Sequence, residues 1–301
     1  MQSKRRPLIL LAAAVALGLL AGGSPAAEVR KVDQTVDADK DGLVIVENIA
    51  GSIRIEAWDK SEVRITGTLG KDVEDLKVKA GGRKTLIEVV YPKHARNINE
   101  GADLVIMAPR GSSLEAECIS APITVEGFTG GIDASNISGE VLIKGKCRRI
   151  EAETISGDLT VDGGAPEVSV QSISGRVRAG GDVSEVEAQS VSGDIELTFA
   201  RFTKLSVESV SGNADVRGAL DKGGHFDFDL HSGDLTLTLA GDVSADFRVE
   251  TFSGDIENDF GGKVEKASKY APGKNLEFST GGGEARVRIN TFSGDASIVR
   301  K

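Results

Sequence analysis

The sequence predicts an all-β protein, a parallel β-solenoid whose rungs each consist of two strands and about 18–21 residues. Three observations support this fold class: apolar and polar residues alternate over short segments, a Ser-Gly motif recurs at regular spacing, and large aromatic residues are scarce. Of the 301 residues, 40% are hydrophobic but only 4% are aromatic, and glycine occurs 37 times. The core must therefore consist mainly of Val, Ile, Leu and Ala, which suit strands.

The repeat is centred on a Ser-Gly pair that follows an apolar residue and usually precedes an acid. The serines of this motif are Ser138, Ser156, Ser174, Ser192, Ser211, Ser232, Ser253 and Ser293. Successive serines are 18, 18, 18, 19, 21, 21 and 40 residues apart, and the last interval is long enough for one degenerate repeat. A variant without the glycine, Ser120-Ala121, lies another 18 residues upstream.

The apolar positions keep one register relative to the serine. Around Ser156 they are Ile150, Ala152, Leu159 and Val161, and the other repeats place apolar residues at the same offsets. Two short strands with one buried face are predicted, joined at the Ser-Gly corner, where glycine accepts positive φ. Because one such unit cannot bury its own apolar face, neighbouring repeats must stack in parallel. About ten rungs would form a rod of about 45–50 Å.

In chain order, the first element is a predicted signal peptide over residues 1–26. Lys4, Arg5 and Arg6 precede an apolar run over residues 8–20, and small residues follow that run, which is the order typical of secretory leaders. Its removal would leave a mature chain of net charge −13, from 33 basic and 46 acidic residues. We predict no transmembrane segment in that mature chain, which is therefore expected in the periplasm or at the cell surface.

The rest of the chain divides into a β-rich N-terminal portion, residues 27–112, and a β-solenoid repeat domain, residues 113–301. Within the first portion, residues 44–55 reproduce one rung, and further alternating runs occur at 62–66, 76–78 and 86–91. Gly81-Gly82-Arg83-Lys84 is typical of a hairpin turn. Near the C-terminus, residues 276–279 and 285–290 flank Gly281-Gly282-Gly283, which predicts a hairpin that caps the stack.

Charge and composition argue against several functions. The net charge is −10, so nucleic acid and anionic membranes are poor partners. The three histidines are His94, His225 and His231, and the sequence contains neither a nucleophile elbow nor a phosphate loop nor a zinc-spaced cluster. We therefore expect no enzymatic activity and a corner position for His231. Cys118 and Cys147 occupy different positions of different rungs and are expected to stay unpaired.

Two groups of acidic residues are candidates for calcium binding. Asp37, Asp39 and Asp41 match the first half of a calcium loop, but Asn48 stands where such a loop has Glu, so a charged hairpin turn is the alternative. The second group is the polar column that stacked corners would form. It is either a line of cation sites or a set of turn residues that bond local backbone. Its members are Ser156, Gly157, Asp158, Ser192, Gly193, Asp194, Ser232, Gly233, Asp234, Ser253, Gly254 and Asp255.

The Ser-Gly-Asp register resembles the bacterial putative-adhesin family, a domain of unknown function built of β-strand repeats. Four further features carry the likeness: the opening Asn48-Ile49-Ala50-Gly51-Ser52-Ile53, the Trp58-Asp59 pair, Ala108-Pro109, and the closing Thr291-Phe292-Ser293-Gly294-Asp295. The likeness covers roughly residues 30–300. It implies a β-repeat fold and an adhesin-like role, with no catalytic residues to carry over.

Three functions follow as hypotheses. The first is an exported, non-enzymatic interaction module that contacts an envelope protein or a glycan through its repeated faces. The second is a scaffold whose stacked rungs join end to end in the cell envelope. The third is a carbohydrate-active β-helix enzyme, which would need clustered acids in a groove lined by long loops. No cofactor other than calcium is predicted.

Overall fold

The computed structural model describes residues 28–93, 98–268 and 272–301. The predicted signal peptide and His94 lie outside the described residues. Within these ranges the regular secondary structure consists of β-strands. The described residues form no helix that is long and apolar enough to cross a membrane. The strands are β1 (Arg30–Asp37), β2 (Leu43–Asn48), β3 (Gly51–Trp58), β4 (Glu62–Leu69), β5 (Asp75–Gly81), β6 (Lys84–Val90), β7 (Ala102–Pro109), β8 (Ser113–Cys118), β9 (Ile123–Glu126), β10 (Gly131–Asn136), β11 (Val141–Lys146), β12 (Arg149–Thr154), β13 (Leu159–Gly164), β14 (Glu167–Ser172), β15 (Val177–Gly181), β16 (Glu185–Ser190), β17 (Ile195–Ser209), β18 (Ala214–Leu230), β19 (Leu235–Leu239), β20 (Ala245–Thr251), β21 (Ile256–Asn258), β22 (Glu265–Lys266), β23 (Lys274–Thr280), β24 (Ala285–Thr291) and β25 (Ala296–Arg300).

The predicted parallel solenoid is confirmed. Each rung has one strand that enters a corner and one that leaves it, so the rungs form an entry column and an exit column. The entry column runs β6, β2, β8, β10, β12, β14, β16, the second half of β17, the second half of β18, β24 and β20. The exit column runs β7, β3, β9, β11, β13, β15, the first half of β17, the first half of β18, β19, β25 and β21.

The core lies between the two columns and follows the predicted apolar register. Val168, for example, pairs in register with Ile150 and with Val186, and all three side chains are buried. Where β17 and β18 run longer than the other strands, Phe202 packs edge-on against Phe199 and Phe226, with ring centroids 5.6 Å and 6.1 Å apart. Burial of these apolar columns supplies the main free energy that holds the rungs together.

At the N-terminal end, the order of rungs differs from the order of the chain. The β2–β3 rung, predicted from residues 44–55, lies between the β6–β7 rung and the β8–β9 rung. Antiparallel strands close this end: β5 pairs with β6 through the predicted turn, β4 pairs with β7, and β1 pairs with β4. Because β2 pairs directly with β8, the hydrogen bonds between strands continue across residue 112, where the predicted N-terminal portion ends.

At the C-terminal end, the predicted hairpin of residues 276–279 and 285–290 is wrong. β23 pairs antiparallel with β20, whereas β24 pairs parallel with the opposite edge of β20, so β20 lies between them. The 40-residue interval between Ser253 and Ser293 holds no extra rung. It carries β22 and β23, which pair antiparallel as a short hairpin on the outer edge of β20. The chain then returns and places its last rung, β24–β25, between β18–β19 and β20–β21.

The corner glycines are required for a different reason from the one predicted. None of the glycines of the eight Ser-Gly motifs has positive φ. A Cβ atom on Gly175 would instead lie 1.8 Å from the carbonyl oxygen of Gly157, and one on Gly193 would lie 1.9 Å from that of Gly175. Each corner glycine therefore lets its rung approach the backbone of the preceding rung.

Candidate functional site: a groove along the corners

A line of exposed apolar side chains follows the corners from rung to rung. It is formed by the residue directly before each corner serine, and we call it the corner ladder. In rung order its members are Ile119, Ile137, Ile155, Ile173, Val191, Val210, His231, Phe292 and Phe252. The eight apolar members are between 41% and 48% exposed. Apart from Val29, they are the large hydrophobic residues that the described part of the chain exposes.

The backbone fixes the spacing of the corner ladder. The N–H of Ile155 donates to the carbonyl of Asn136 in the preceding rung at 3.1 Å, and the N–H of Ile173 donates to that of Thr154 at the same distance. Each member therefore repeats at the strand spacing of about 4.8 Å. Side chains one rung apart therefore lie side by side and form a continuous strip that is apolar except at His231.

The C-terminal end of the corner ladder is aromatic. The rings of His231 and Phe292 stack at 4.9 Å and 3°, and those of Phe292 and Phe252 stack at 4.8 Å and 2°. Phe292 stands between the other two because the last rung of the chain is inserted there. His231 lies at an exposed corner, which confirms the position predicted for it.

The floor of the site is a column of buried polar residues, two positions before each corner serine. Its described polar members are Asn48, Asn136, Thr154, Ser172, Ser190, Ser209, Thr291 and Thr251. The hydroxyl of Ser190 accepts the N–H of Gly193 at 2.9 Å and donates to the carbonyl of Gly193 at 2.6 Å. These bonds hold the corner in shape and direct the following ladder residue outward.

The two cysteines are free and buried, as expected. Cys118 belongs to the floor column, where it pairs in register with Asn48 and Asn136, and burial raises the pKa of its thiol to about 12. The Cys147 thiol faces the carbonyl of Phe128 at 3.5 Å, and burial raises its pKa to about 11. Both thiols therefore stay protonated and unreactive at neutral pH.

A wall of polar side chains faces the corner ladder across the floor. It consists of the residues three positions before the corner serines: Ser135, Glu153, Gln171, Gln189, Glu208, Asp229, Asn290 and Glu250. Wall, floor and ladder enclose an open groove of about 1110 Å³, which Ala267, Gly273 and Asn275 bound at one end. Four carboxylates but no Lys or Arg occur among the described residues that line it. The groove thus has an apolar side and an acidic side.

The predicted column of corner residues lies outside this groove, because none of its twelve members lines it. The Asp158 carboxylate accepts the N–H of Arg176 at 3.0 Å, and the Asp194 carboxylate accepts that of Asn213 at 3.0 Å. The same bond joins Asp234 to the N–H of Asp295 at 2.9 Å. These carboxylates therefore bond to the backbone, as the hypothesis of turn residues predicted. The backbone groups belong to the next rung, however, and not to the same turn.

The other members of that column take consistent positions. Ser156, Ser192, Ser232 and Ser253 are exposed, whereas Gly157, Gly193, Gly233 and Gly254 are buried against the neighbouring rung. Among the described residues, the Asp255 carboxylate accepts no N–H from a neighbouring corner, but the N–H of Asp255 donates to the carboxylate of Asp295 at 2.7 Å. The residues of the column thus form contacts between rungs. That the column also binds a ligand stays a prediction.

The candidate calcium loop lies at the N-terminal end. Asp37 ends β1, the carbonyl of Asp39 accepts the N–H of Gly42 at 3.3 Å, and the Asp41 carboxylate pairs with Arg83 at 2.9 Å. In the described ranges, no three His, Cys, Asp or Glu side chains are arranged to hold a metal ion. Calcium binding at this turn stays a prediction.

The register of the repeat carries a signal for the groove. Inward positions lie six, four and two residues before the serine, so the residue directly before it is out of phase and must point outward. An apolar residue at that position in almost every repeat therefore indicates an exposed apolar strip.

The fold and the groove define a two-column parallel β-solenoid with a continuous surface site. A family model described as Toastrack DUF4097 matches residues 36–299, and the chain belongs to this family. The predicted resemblance to a putative-adhesin domain of unknown function is thereby confirmed. No curated protein matches the sequence.

Solved structures share the fold at low sequence identity. A putative adhesin from Bacteroides fragilis is 12% identical with a TM-score of 0.50, over 90% of this chain and 97% of that one. A putative lipid binding protein from Parabacteroides distasonis is 12% identical with a TM-score of 0.54, over 91% of this chain and 97% of that one. Both likenesses extend to the fold and not to a ligand.

Proposed function

We propose that this protein is an exported, non-enzymatic interaction module of the cell envelope, which binds an elongated partner along the corner groove in an adhesin-like manner. The single observation that carries the proposal is the corner ladder, nine rungs long and about 38 Å from end to end. A contiguous apolar strip of this kind, bordered by polar residues, is typical of an interaction site.

The shape of the site favours binding over catalysis. The groove is open along its length, and the described residues provide a bounding segment at one end only. Catalysis in such a groove would take place in contact with bulk water, which weakens the electrostatic interactions that a closed active site strengthens. The similar structure from Bacteroides fragilis, described as a putative adhesin, supports the same role, and the predicted leader over residues 1–26 supports export.

The ends of the solenoid disfavour the scaffold hypothesis. β5 and the β22–β23 hairpin lie antiparallel on the outer rungs of the entry column, and β1 and β4 lie antiparallel at one end of the exit column. These strands cover edges that parallel end-to-end stacking would need.

Binding to envelope material tests the proposal. The purified chain of residues 28–301 would be titrated against isolated cell envelopes, beside the double variant I155S/I173S, which removes two exposed ladder side chains from the middle of the groove. Val29→Ser is the matched control, because Val29 is 53% exposed and does not line the groove. We expect the double variant to bind at least tenfold more weakly and the control to bind as the wild type does. Equal binding by all three proteins would overturn the proposal.

The cellular location is tested separately. Protease would be applied to intact cells and to cells with a permeabilised outer envelope, and the protein would be detected by antibody. Digestion in intact cells would place the groove at the surface, where adhesion is the expected role. Protection until permeabilisation would place it in the periplasm and direct the search to periplasmic partners. Protection in both conditions would contradict export.

A further inference from the structure

We infer that the occupant of the corner groove is an extended polypeptide segment of about ten residues in which apolar and basic side chains alternate. This inference rests on the proposed function and specifies its partner. Three features of the groove lead to it: its length, its two chemically different sides, and the sign of its charge.

The length and cross-section fit an extended chain. From Ile137 to Phe252 the groove spans seven rung spacings, about 34 Å, which about ten residues of extended polypeptide cover at 3.3 Å each. Successive side chains of an extended chain point to opposite sides. One set can therefore lie on the corner ladder while the other set faces the polar wall. The amides of Gln171 and Gln189, in the middle of the wall, can bond the backbone of such a segment.

Part of the wall's negative charge has no ion-pair partner among the described residues, although Glu250 pairs with Arg248. Glu153 and Glu208 line the groove without an ion pair in the described residues, and they lie three rungs apart, about 14 Å. The adjoining outer face of the entry column adds Asp133, which pairs in register with Glu115 on one side and Glu151 on the other, and Glu117, which lies two strands from Glu153 with Ser135 between them. Like charges at this spacing repel. A basic side chain bound in the groove would relieve that repulsion.

The titration of Asp133 agrees with a negative potential beside the groove. Partial burial raises its pKa, and the neighbouring carboxylates, Glu151 and Glu115 before the others, raise it further. A cation is therefore favoured near this surface and an anion is disfavoured.

Other occupants fit less well. A second copy of the chain would place a second acidic wall against the first, in a protein of net charge −10. A lipid with an anionic headgroup meets the same repulsion, and a neutral acyl chain leaves the carboxylates of the wall without a partner. A glycan that stacks on aromatic faces finds Phe292 covered on both faces, by His231 and by Phe252.

Defined synthetic probes test the inference. The purified chain of residues 28–301 would be titrated by fluorescence anisotropy with three labelled ten-residue peptides of alternating sequence: Lys-Val, Glu-Val and Lys-Ser. Phosphatidylcholine vesicles would be tested by co-sedimentation. We expect the Lys-Val peptide to bind at least tenfold more tightly than either other peptide, and its affinity to fall with added salt.

Matched variants locate the binding. E153Q/E208Q removes two carboxylates from the wall, and E140Q/E257Q removes two exposed carboxylates outside the groove with the same change in net charge. We expect the wall variant to bind the Lys-Val peptide about 3- to 10-fold more weakly and the matched control to bind as the wild type does. I155S/I173S should weaken it tenfold or more, and Val29→Ser should have no effect.

The outcomes separate the two claims. Preferred binding of the Glu-Val peptide, binding of vesicles that depends on the corner ladder, or equal losses in the wall variant and its control would each overturn the basic-segment inference. The proposed function would survive those results if envelope binding still depended on Ile155 and Ile173. If I155S/I173S bound cell envelopes as tightly as the wild type, the proposed function itself would be overturned.

Discussion

The regular middle of the solenoid and its two ends differ in how the order of the rungs follows the order of the chain. In the middle, from β8 to β16, each rung follows its predecessor in the chain after 18 residues and pairs with it in register. At each end, the terminal rung of the chain is inserted one place inside the stack, and antiparallel strands lie outside it. The comparison shows that the repeat determines a rung, whereas long-range pairing determines the place of that rung in the stack.

Removal of the last rung should have the largest effect. A chain that ends at residue 284 loses β24–β25 and with it Val287, Ile289 and Ile298, all buried. Because that rung lies between β18–β19 and β20–β21, its loss removes the only parallel pairing that joins these two rungs among the described residues. We expect a loss of about 5 kcal/mol or more of unfolding free energy, measured by urea denaturation.

A second truncation serves as the control for this experiment. A chain that begins at residue 39 loses β1, which is mostly exposed, and we expect it to lose only about 1 kcal/mol. If both truncations cost the same small amount, the last rung lies at an end of the stack and the inserted order is incorrect.

The corner glycines give the second largest effect and distinguish middle from end. Gly175→Ala would place a Cβ atom 1.8 Å from the carbonyl oxygen of Gly157, between rungs held on both sides. We expect a loss of about 3 kcal/mol. Gly254→Ala meets a similar contact with Gly294 in the outermost parallel rung, which can move outward, so about half that loss is expected. Thermal unfolding measures both, and Gly81→Ala, whose Cβ meets nothing within 4 Å, is the control.

The floor of the groove should matter more than the serine of the motif. Ser190→Ala removes a buried hydroxyl and leaves the N–H and the carbonyl of Gly193 without that partner, which should cost about 1–2 kcal/mol. Ser192→Ala changes an exposed residue of the same corner and should cost less than about 0.5 kcal/mol. Equal losses in chemical denaturation would show that the motif serine also supports the corner.

The smallest effect concerns the acidic stack of the middle region. The folded-state pKa of Asp133 is raised, first by burial and then by Glu151 and Glu115, so its ionised form destabilises the fold. That penalty is present at neutral pH and is relieved as the pH falls through the folded-state pKa towards the ordinary value of 3.8. D133N should therefore be more stable than the wild type at pH 7, by about 0.5 kcal/mol or less because solvent screens the site.

The pH dependence provides the control for this prediction. The advantage of D133N should disappear near pH 3.5 in denaturation curves measured across the acid range. Asp162→Asn, whose neighbours in register are Lys144 and Gly180, should show no stabilisation at pH 7. An advantage of D133N that persists at low pH would mean that charge is not its cause.

Much of the fold followed from local pattern. Residues such as Ile150, Ala152 and Leu159 alternate with polar ones, and this alternation reports which side of a strand faces the core. The hairpin at Gly81–Lys84 was likewise predicted, because turn chemistry is local. The corner position of His231 followed from its register relative to Ser232.

The candidate site was predicted less well. The corner acids are visible in the sequence as charge at a turn, yet the carboxylates of Asp158 and Asp194 accept backbone N–H groups of the next rung. The apolar residue before each serine belongs to the recurring motif, yet its phase places it outside the core. The groove becomes apparent only when Glu153 and Ile155 are seen on two sides of one floor.

By itself, the sequence determined the two-strand rung, the parallel stacking and the corner at Ser-Gly, because these depend on side-chain alternation and constant spacing. The tertiary structure alone decided where β2–β3 and β24–β25 are inserted, because several strands have compatible apolar faces and the choice among them depends on contacts between distant segments. It also decided why Gly175 must be glycine, since the carbonyl that a side chain would strike belongs to another rung. The aromatic stack of His231, Phe292 and Phe252 exists for the same reason: Phe292 lies 61 positions from His231 and 40 from Phe252, and it becomes the neighbour of both only when the last rung enters the stack.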